Sequence, residues 1–287
     1  MESSRTVLGT PYREDDRVIL IAQFISEHFT NPGIEIEAKI GIFEFSNGNM
    51  FIPHISEIDM RRLEGHFESS LQPLMFFSLL DRLKTVCRDF KYVETEDSLY
   101  TCSLRDNKIR QTVGVNNEII ATIKKSKIAD KNFLLNTSGL GIRISANCEE
   151  NLDKIPDGSK FSVLRQKKRH AFRYQYLEID MTEVIMNNKP SYELEIEIAD
   201  FSFVKTHVDN YISGTDKGGL IAIARKIWQN ALSLSFHKPR AVVARVSEKT
   251  EFIGKRTEDY IKHIGSVTPI IGDYLYCLAG EFDNLEP

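Results

Sequence analysis

The sequence predicts a mainly β protein with flanking helices, whose strands close into an antiparallel sheet with a charged interior. The first observation is residues 192–200, where Glu193, Glu195 and Glu197 alternate with Leu194, Ile196 and Ile198. Strand side chains alternate between faces, so the three carboxylates share one face, roughly 6–7 Å apart. The second is residues 34–40, where Glu35, Glu37 and Lys39 lie opposite Ile34, Ile36, Ala38 and Ile40. The third is the density of short strand-like runs between residues 91 and 200, separated by turn residues. A solvated edge strand would account for either glutamate run alone. Two strands with the same alternation point to a closed sheet, because a row of like charges needs nearby cations.

In chain order, residues 1–14 are polar and expected to fray. Val18, Ile21, Ala22, Ile25 and Phe29 form a helical stripe over 17–29, which Asn31-Pro32-Gly33 terminates. The first charged strand runs over 34–45, and Asn47-Gly48 signals a hairpin to a partner at 51–55. Phe67, Leu71, Leu74, Phe77, Leu80 and Val86 predict a long helix over 68–90, with Pro73 near its start. Strands are expected at 92–94, 99–104, 108–113, 119–127, 141–148, 161–169, 172–181 and 192–199. Asp106-Asn107, Asn116-Asn117, Ser138-Gly139, Pro156-Asp157-Gly158 and Asn187-Asn188 punctuate them. About ten strands imply a sandwich or a barrel. A third helix, again amphipathic, covers 216–232, a strand is expected at 241–247, and no linker divides the 287 residues, so a single domain over 1–287 is expected.

Hydrophobic content of 41% and charged content of 27% are those of an ordinary globular protein. A net charge of −4 argues against non-specific nucleic-acid binding while permitting a local basic site. Cys87, Cys102, Cys148 and Cys277 lie far apart, and with no leader-like segment they are expected to be reduced thiols. No apolar run approaches the ~18 residues of a membrane-spanning helix, so no membrane partner is expected. The seven histidines lack zinc-ligand spacing.

The charged alternation recurs on other strands. Arg165, Lys167 and Arg169 share a face, as do Lys108 and Arg110. Over 172–181, Tyr174, Tyr176, Glu178, Asp180 and Thr182 are expected on one face. Carboxylate clusters are hard oxygen ligands for Mg²⁺ or Mn²⁺, and arginine and lysine neutralise phosphate oxygens. Both together suit phosphoryl transfer. There is no Walker A loop, and Gly139-Leu-Gly141 is too short to be one.

Glu-Ile-Glu-Ala-Lys at 35–39 resembles the Glu-x-Glu-x-Lys motif of the triphosphate tunnel metalloenzymes. Ile-Arg-Gln-Thr at 109–112, Ile-Lys-Lys at 123–125 and Arg-Ile-Ser-Ala-Asn-Cys-Glu at 143–149 add to it. With Arg-x-Lys-x-Arg at 165–169, Glu-Ile-Asp-Met-Thr at 178–182 and Glu-Leu-Glu-Ile-Glu at 193–197, the set resembles the fungal RNA 5′-triphosphatases of mRNA capping. The similarity spans about residues 30–200, and the compact length is similar to the fission-yeast type. It implies an eight-stranded antiparallel β-barrel tunnel with the charged faces inside. Glu35, Glu37 and Glu197 would ligate Mg²⁺ or Mn²⁺, with Glu193, Glu195 and Lys39 completing that wall. Arg110, Lys125, Lys167 and Arg169 would hold the γ-phosphate, supported by Arg165. Glu149 would orient the attacking water, and Asp180 and Thr182 would support these groups. Lys124 precedes Lys125 where some relatives carry an acid, so either lysine is a candidate for the tunnel.

The implied reaction is hydrolysis of the γ-phosphate of 5′-triphosphate RNA in the nucleus by a homodimer. The mRNA guanylyltransferase or the phosphorylated RNA polymerase II tail would be partners. A tunnel enzyme acting on inorganic tripolyphosphate or nucleoside triphosphates, or a non-catalytic phosphate-binding scaffold, are the alternatives.

Overall fold

The computed structural model describes residues 6–9, 16–45, 65–87, 89–101, 108–135 and 140–237. The expected strands at 51–55 and 241–247, the turns at Asn47-Gly48, Asp106-Asn107 and Ser138-Gly139, and most of the polar opening segment lie outside them. The strands are β1 (Ile34–Phe45), β2 (Gly65–Glu68), β3 (Phe90–Thr101), β4 (Lys108–Gly114), β5 (Ile119–Leu134), β6 (Leu140–Asn151), β7 (Lys160–Tyr174), β8 (Leu177–Met186) and β9 (Lys189–Ile198). The helices are α1 (Arg17–His28), α2 (Pro73–Val86), α3 (Phe201–Ser213) and α4 (Gly218–Ser235).

The sheet order is β2-β1-β6-β5-β4-β3-β7-β8-β9, and β1 also pairs with β9. That last pairing closes eight antiparallel strands into a barrel, with β2 an appendage on the outer end of β1. Glu37 meets Glu197 and Lys39 meets Glu195 across the closing seam. The two glutamate strands therefore lie side by side, and their alternation puts every one of those charges inside.

The apolar alternates face outward and are buried beneath the helices. Ile36, Ala38 and Ile40 of β1, Ile142 and Ile144 of β6, Ile179 of β8 and Ile196 of β9 join one core with residues of α1, α3 and α4. Trp228 of α4 is fully buried, edge-on to Phe133 at 5.2 Å between ring centroids, with the Arg17 guanidinium 5.0 Å from its ring. Trp228→Ala is expected to cost about 3–5 kcal/mol of stability, read by urea unfolding followed by circular dichroism.

Several elements differ from the sequence expectation. The strands expected at 92–94 and 99–104 are one, β3. The long helix over 68–90 is shorter: residues 65–68 are β2, and Pro73 opens α2 at its first turn, where its missing N–H costs nothing. The strand expected over 172–181 is interrupted by a turn in which Gln175 adopts φ 58°. Tyr174 ends β7 and packs against the hydrophobic core, while Tyr176 stacks on Phe203 of α3 at 4.9 Å. Neither tyrosine belongs to the tunnel, whereas Glu178, Asp180 and Thr182 of β8 do. The helix α3 was not expected at all.

One corner of the barrel is filled. Gly41 of β1 pairs with Gly141 of β6. A Cβ at Gly41 would lie 2.8 Å from the Phe67 ring and 2.2 Å from the Glu68 carbonyl oxygen; one at Gly141 would lie 2.1 Å from the Phe43 ring. The two glycines leave room for Phe43 and Phe67, whose centroids are 4.8 Å apart, and the Arg143 guanidinium sits 4.6 Å from the Phe67 ring.

Candidate active site

The acidic wall comes from β1 and β9. Carboxylate oxygens of Glu35, Glu37 and Glu197 all lie within 4.8 Å of one another, and a second group of the same compactness joins Asp180, Glu195 and Glu197. The two groups differ in how they are neutralised. Lys39 Nζ lies 2.5 Å from Glu195 and 3.2 Å from Glu37, and Arg169 Nη1 lies 2.8 Å from Asp180. Glu197 has no ion pair among the described residues. Lys125 contacts Glu35 and lies 3.9 Å from Glu37, so each group has two cations for three carboxylates, and Glu197, common to both, is the one left over.

The electrostatics follow from that imbalance. Burial, then Glu195 and Glu35, pushes the Glu37 carboxyl up to about 7 against the pull of Lys39 and Lys125. Burial and the surrounding carboxylates also raise Glu197 well above the ordinary range. Burial would raise Glu195 too, but the Lys39 charge and its hydrogen bond hold it down at about 2. Burial opposes the Lys39 charge, yet Glu195 and Glu37 outweigh it and raise its pKa. Asp180 is fully buried and pushed up to about 6, mainly by burial, with Arg169 opposing. A site of oxygen donors only, short of one positive charge, fits a hard divalent cation.

The basic wall comes from β4, β5 and β7. Arg110 and Lys125 both reach Oε1 of Glu149, at 3.3 and 3.4 Å. Lys125 also contacts Glu35 and lies 3.9 Å from Glu37. Lys124 points the other way and pairs with Glu150 at 2.9 Å, so Lys125 is the tunnel lysine. Arg165 pairs with Glu193 at 2.9 Å, and Lys167 with Asp97 at 3.1 Å. Burial first, then Arg169, Arg110 and Arg165, lowers the Lys167 pKa despite Asp97. These cations repel one another, which is the condition for a strong anion site. Thr182, directly opposite Arg169 on β7, has a buried hydroxyl without a hydrogen-bond partner among the described residues.

Every residue given a role from the sequence faces the tunnel, whereas Lys124, Tyr174 and Tyr176 do not. Others were given no role from the sequence, although Arg143 and Asn147 stand in the motif at 143–149. Asp97 of β3, 1% exposed, accepts from Thr112 Oγ1 at 2.7 Å while holding Lys167. Asn147 of β6 donates from Nδ2 to Glu37 Oε1 at 2.8 Å and so fixes the rotamer of a central carboxylate. Asp130, Asn132 and Arg143 form a further polar group: Arg143 Nε donates to Asn132 at 2.8 Å and lies 3.5 Å from Asp130. Asp97→Ala should leave Lys167 buried and repelled by three arginines, lowering kcat/KM for phosphate release by about 10–100-fold, measured by steady-state kinetics.

Comparison with known proteins agrees with this architecture. A family model described as mRNA capping enzyme, beta chain matches residues 14–235. The mRNA-capping enzyme subunit beta of Schizosaccharomyces pombe is 26% identical over 227 residues, which is 70% of this chain and 75% of that protein. The S. pombe Pct1 RNA triphosphatase, solved in complex with the Spt5 CTD, has the same fold at a TM-score of 0.71 and 20% identity, covering 83% of this chain and all of that one. A second structure of the same enzyme gives a TM-score of 0.70 at 21% identity, covering 80% and 96%. With well over half of its length matched, the chain belongs to the mRNA capping enzyme beta-chain family.

Proposed function

We propose that this chain is an RNA 5′-triphosphatase, which hydrolyses the γ-phosphate of 5′-triphosphate RNA to 5′-diphosphate RNA and inorganic phosphate, opening mRNA cap formation. The observation that carries the reading is the closed barrel that sets Glu35, Glu37 and Glu197 across from Arg110, Lys125, Lys167 and Arg169, in a chain of the capping family. Mg²⁺ or Mn²⁺ held by Glu35, Glu37 and Glu197 would polarise the γ-phosphate and offset its repulsion of the glutamates.

The protein's own groups do the rest. Arg110, Lys125, Lys167 and Arg169 bind the non-bridging oxygens, with Arg165 reaching the leaving diphosphate. Their partners Glu149, Asp97, Asp180 and Glu193 keep the cations aimed before substrate arrives, so little reorganisation accompanies the reaction. Glu149 spends Oε1 on Arg110 and Lys125, and its second oxygen orients the water that attacks phosphorus in line. The water oxygen forms the new P–O bond as the bond to the β-phosphate bridging oxygen breaks. Lys39 and Asn147 hold the acidic wall in register, and Asp180 and Thr182 brace Arg169.

We extend the reading to a nuclear homodimer working with a capping or transcription partner, such as the guanylyltransferase or the phosphorylated RNA polymerase II tail. The Spt5 CTD bound by the S. pombe relative supports a partner of the tail type. A purely phosphate-binding scaffold gains nothing from gathering three glutamates, of which Glu197 has no ion pair among the described residues. The test is release of labelled γ-phosphate from triphosphate-ended RNA in Mg²⁺, in Mn²⁺ and in chelator. Release in either metal and its loss in chelator are expected; release undiminished by chelation would overturn the metal assignment.

A further inference from the structure

Three tunnel-facing levels follow one another on β3, at Asp97, Leu99 and Thr101. Their direct partners are Arg165, Val163 and Lys160 on β7, and Thr112, Arg110 and Lys108 on β4. Successive levels are about 7 Å apart. Directly paired residues share a face of the sheet. Lys108 and Lys160 therefore flank Thr101 on the tunnel side, beyond a bulge between Leu99 and Tyr100. Both lysines are exposed, and neither has an ion-pair partner among the described residues.

The lining thus changes in order. Arg165, Lys167 and Arg169 are cations held by acids, as is Arg110 one level on, beside Leu99. Next come Leu99 and Val163, half-buried and facing one another across the ladder. Last come two solvated ammonium groups with no carboxylate beside them among the described residues. Elsewhere this end is narrowed, since β1 runs in the same direction as β3 and brings Phe43, Phe67 and Arg143 to its far corner. At the opposite end of the tunnel the charges are mixed: Glu178 sits between Glu197 on β9 and Arg173 on β7. A polyanion is drawn to the first end, where the cations have no acids beside them among the described residues.

We propose that Leu99 and Val163 receive the 5′-terminal nucleoside, and that Lys108 and Lys160 bind the phosphodiester that follows it. This sector then selects an RNA end over smaller triphosphates. The inference rests on the RNA triphosphatase reading and adds the determinant of substrate class. Aliphatic side chains cover a ribose or base face without reading the base, and ammonium groups neutralise a phosphate of any sequence. A free nucleoside triphosphate offers the nucleoside but no phosphodiester, and inorganic tripolyphosphate offers neither.

The test is steady-state kinetics of the Lys108→Ala/Lys160→Ala double variant on triphosphate-ended oligonucleotide RNA, ATP and tripolyphosphate, across a salt series. Both side chains are exposed, so folding is not at stake. KM for RNA is expected to rise about tenfold with kcat unchanged, while both constants for ATP and tripolyphosphate stay as in the wild type. The slope of log kcat/KM for RNA against log salt is expected to flatten by about 0.7, the value of one single-stranded phosphate contact. The charge reversal Lys108→Glu/Lys160→Glu is expected to enlarge the RNA-specific effect. An unchanged KM for RNA, or an equal rise for all three substrates, would overturn the inference alone. Wild-type protein that hydrolyses tripolyphosphate but not RNA ends would overturn the functional reading beneath it.

Discussion

Glu37→Gln is expected to lower kcat/KM for γ-phosphate release by about 10²–10³-fold, the scale on which removal of one preorganised electrostatic group acts. Glutamine keeps the shape of the side chain and can still accept the Asn147 hydrogen bond, so packing is preserved. What changes is one charge in a cluster that needs its charges to attract a cation. Isothermal titration with Mn²⁺ should show weaker binding, independently of turnover. Stability gives a third readout of opposite sign. Burial and Glu195 push Glu37 up to about 7 from an ordinary 4.5, so the folded protein holds that proton more tightly than the unfolded chain. Without metal, stability therefore falls as pH rises from 4.5 through 7, because the folded state binds more protons across that window. The glutamine variant escapes this loss and should be the more stable of the two at pH 8 in chelator. A variant that is both inactive and less stable there would mark Glu37 as a structural residue.

Lys39→Met is expected to cost about 3 kcal/mol at pH 7.5. Removing one partner of a buried pair costs about 3–5 kcal/mol, and the lower end applies because Lys39 retains some contact with solvent. Methionine replaces the volume of the stem, so the loss is mainly electrostatic. The pH dependence identifies it. Glu195 is held at about 2 by Lys39, so its stabilising contribution is complete above the unfolded value of 4.5 and disappears as pH falls through 2. The raised Lys39 pKa gives a contribution fully present below 10.5, hence throughout this range. Lys39 also pulls on Glu37, which titrates at about 7, so the difference between wild type and variant should be largest at pH 8, shrink as Glu37 takes up its proton, and shrink again below 4.5. Urea unfolding at pH 7.5, 4.5 and 3 measures it. A difference independent of pH would assign the effect to packing alone.

The polar interior was legible from the sequence because a tunnel wall repeats every second residue, which no helix and few buried strands do. Glu35, Glu37, Glu193, Glu195 and Glu197 announce themselves by alternating with isoleucine and leucine. Arg165, Lys167 and Arg169 were harder to place because Gln166 and Lys168 between them are polar and exposed. Asp97 was missed for a related reason: its neighbours Glu96 and Ser98 are polar, so β3 shows no alternation and looked broken at its centre.

Irregularities erased other signals. A register shift between Lys127 and Ala129 of β5 changes the parity of the strand, carrying Asp130 and Asn132 to the same face as Lys125. No periodic reading crosses such a bulge. The turn at Gln175 lacks the glycine or asparagine that marks Asn187-Asn188, so two strands read as one. Lys226 supplies the missing reason for that turn: it reaches from α4 to the Gln175 side chain and lies 4.5 Å from the Tyr176 ring. The helix α3 buries only Val204 and Val208, a stripe too thin to stand out from its polar neighbours.

The seam between β1 and β9 has a consequence for how the protein comes into being. These are the first and last strands of the barrel, and they bring three acidic side chains together along a short ladder. The catalytic centre therefore does not exist on a partly synthesised chain, since Glu197 must leave the ribosome before Glu35 and Glu37 have their third companion. The seam also gathers carboxyls, Glu37 and Glu197, that burial and neighbouring carboxylates push upward. A bound divalent ion would act there as a clasp, stabilising the folded ring by RT ln(1 + [M]/Kd) while leaving every other strand pair untouched. Hydrogen exchange should then slow at Ile36–Ile40 and Leu194–Ile198 on adding Mg²⁺, ahead of any change in β3 or β4.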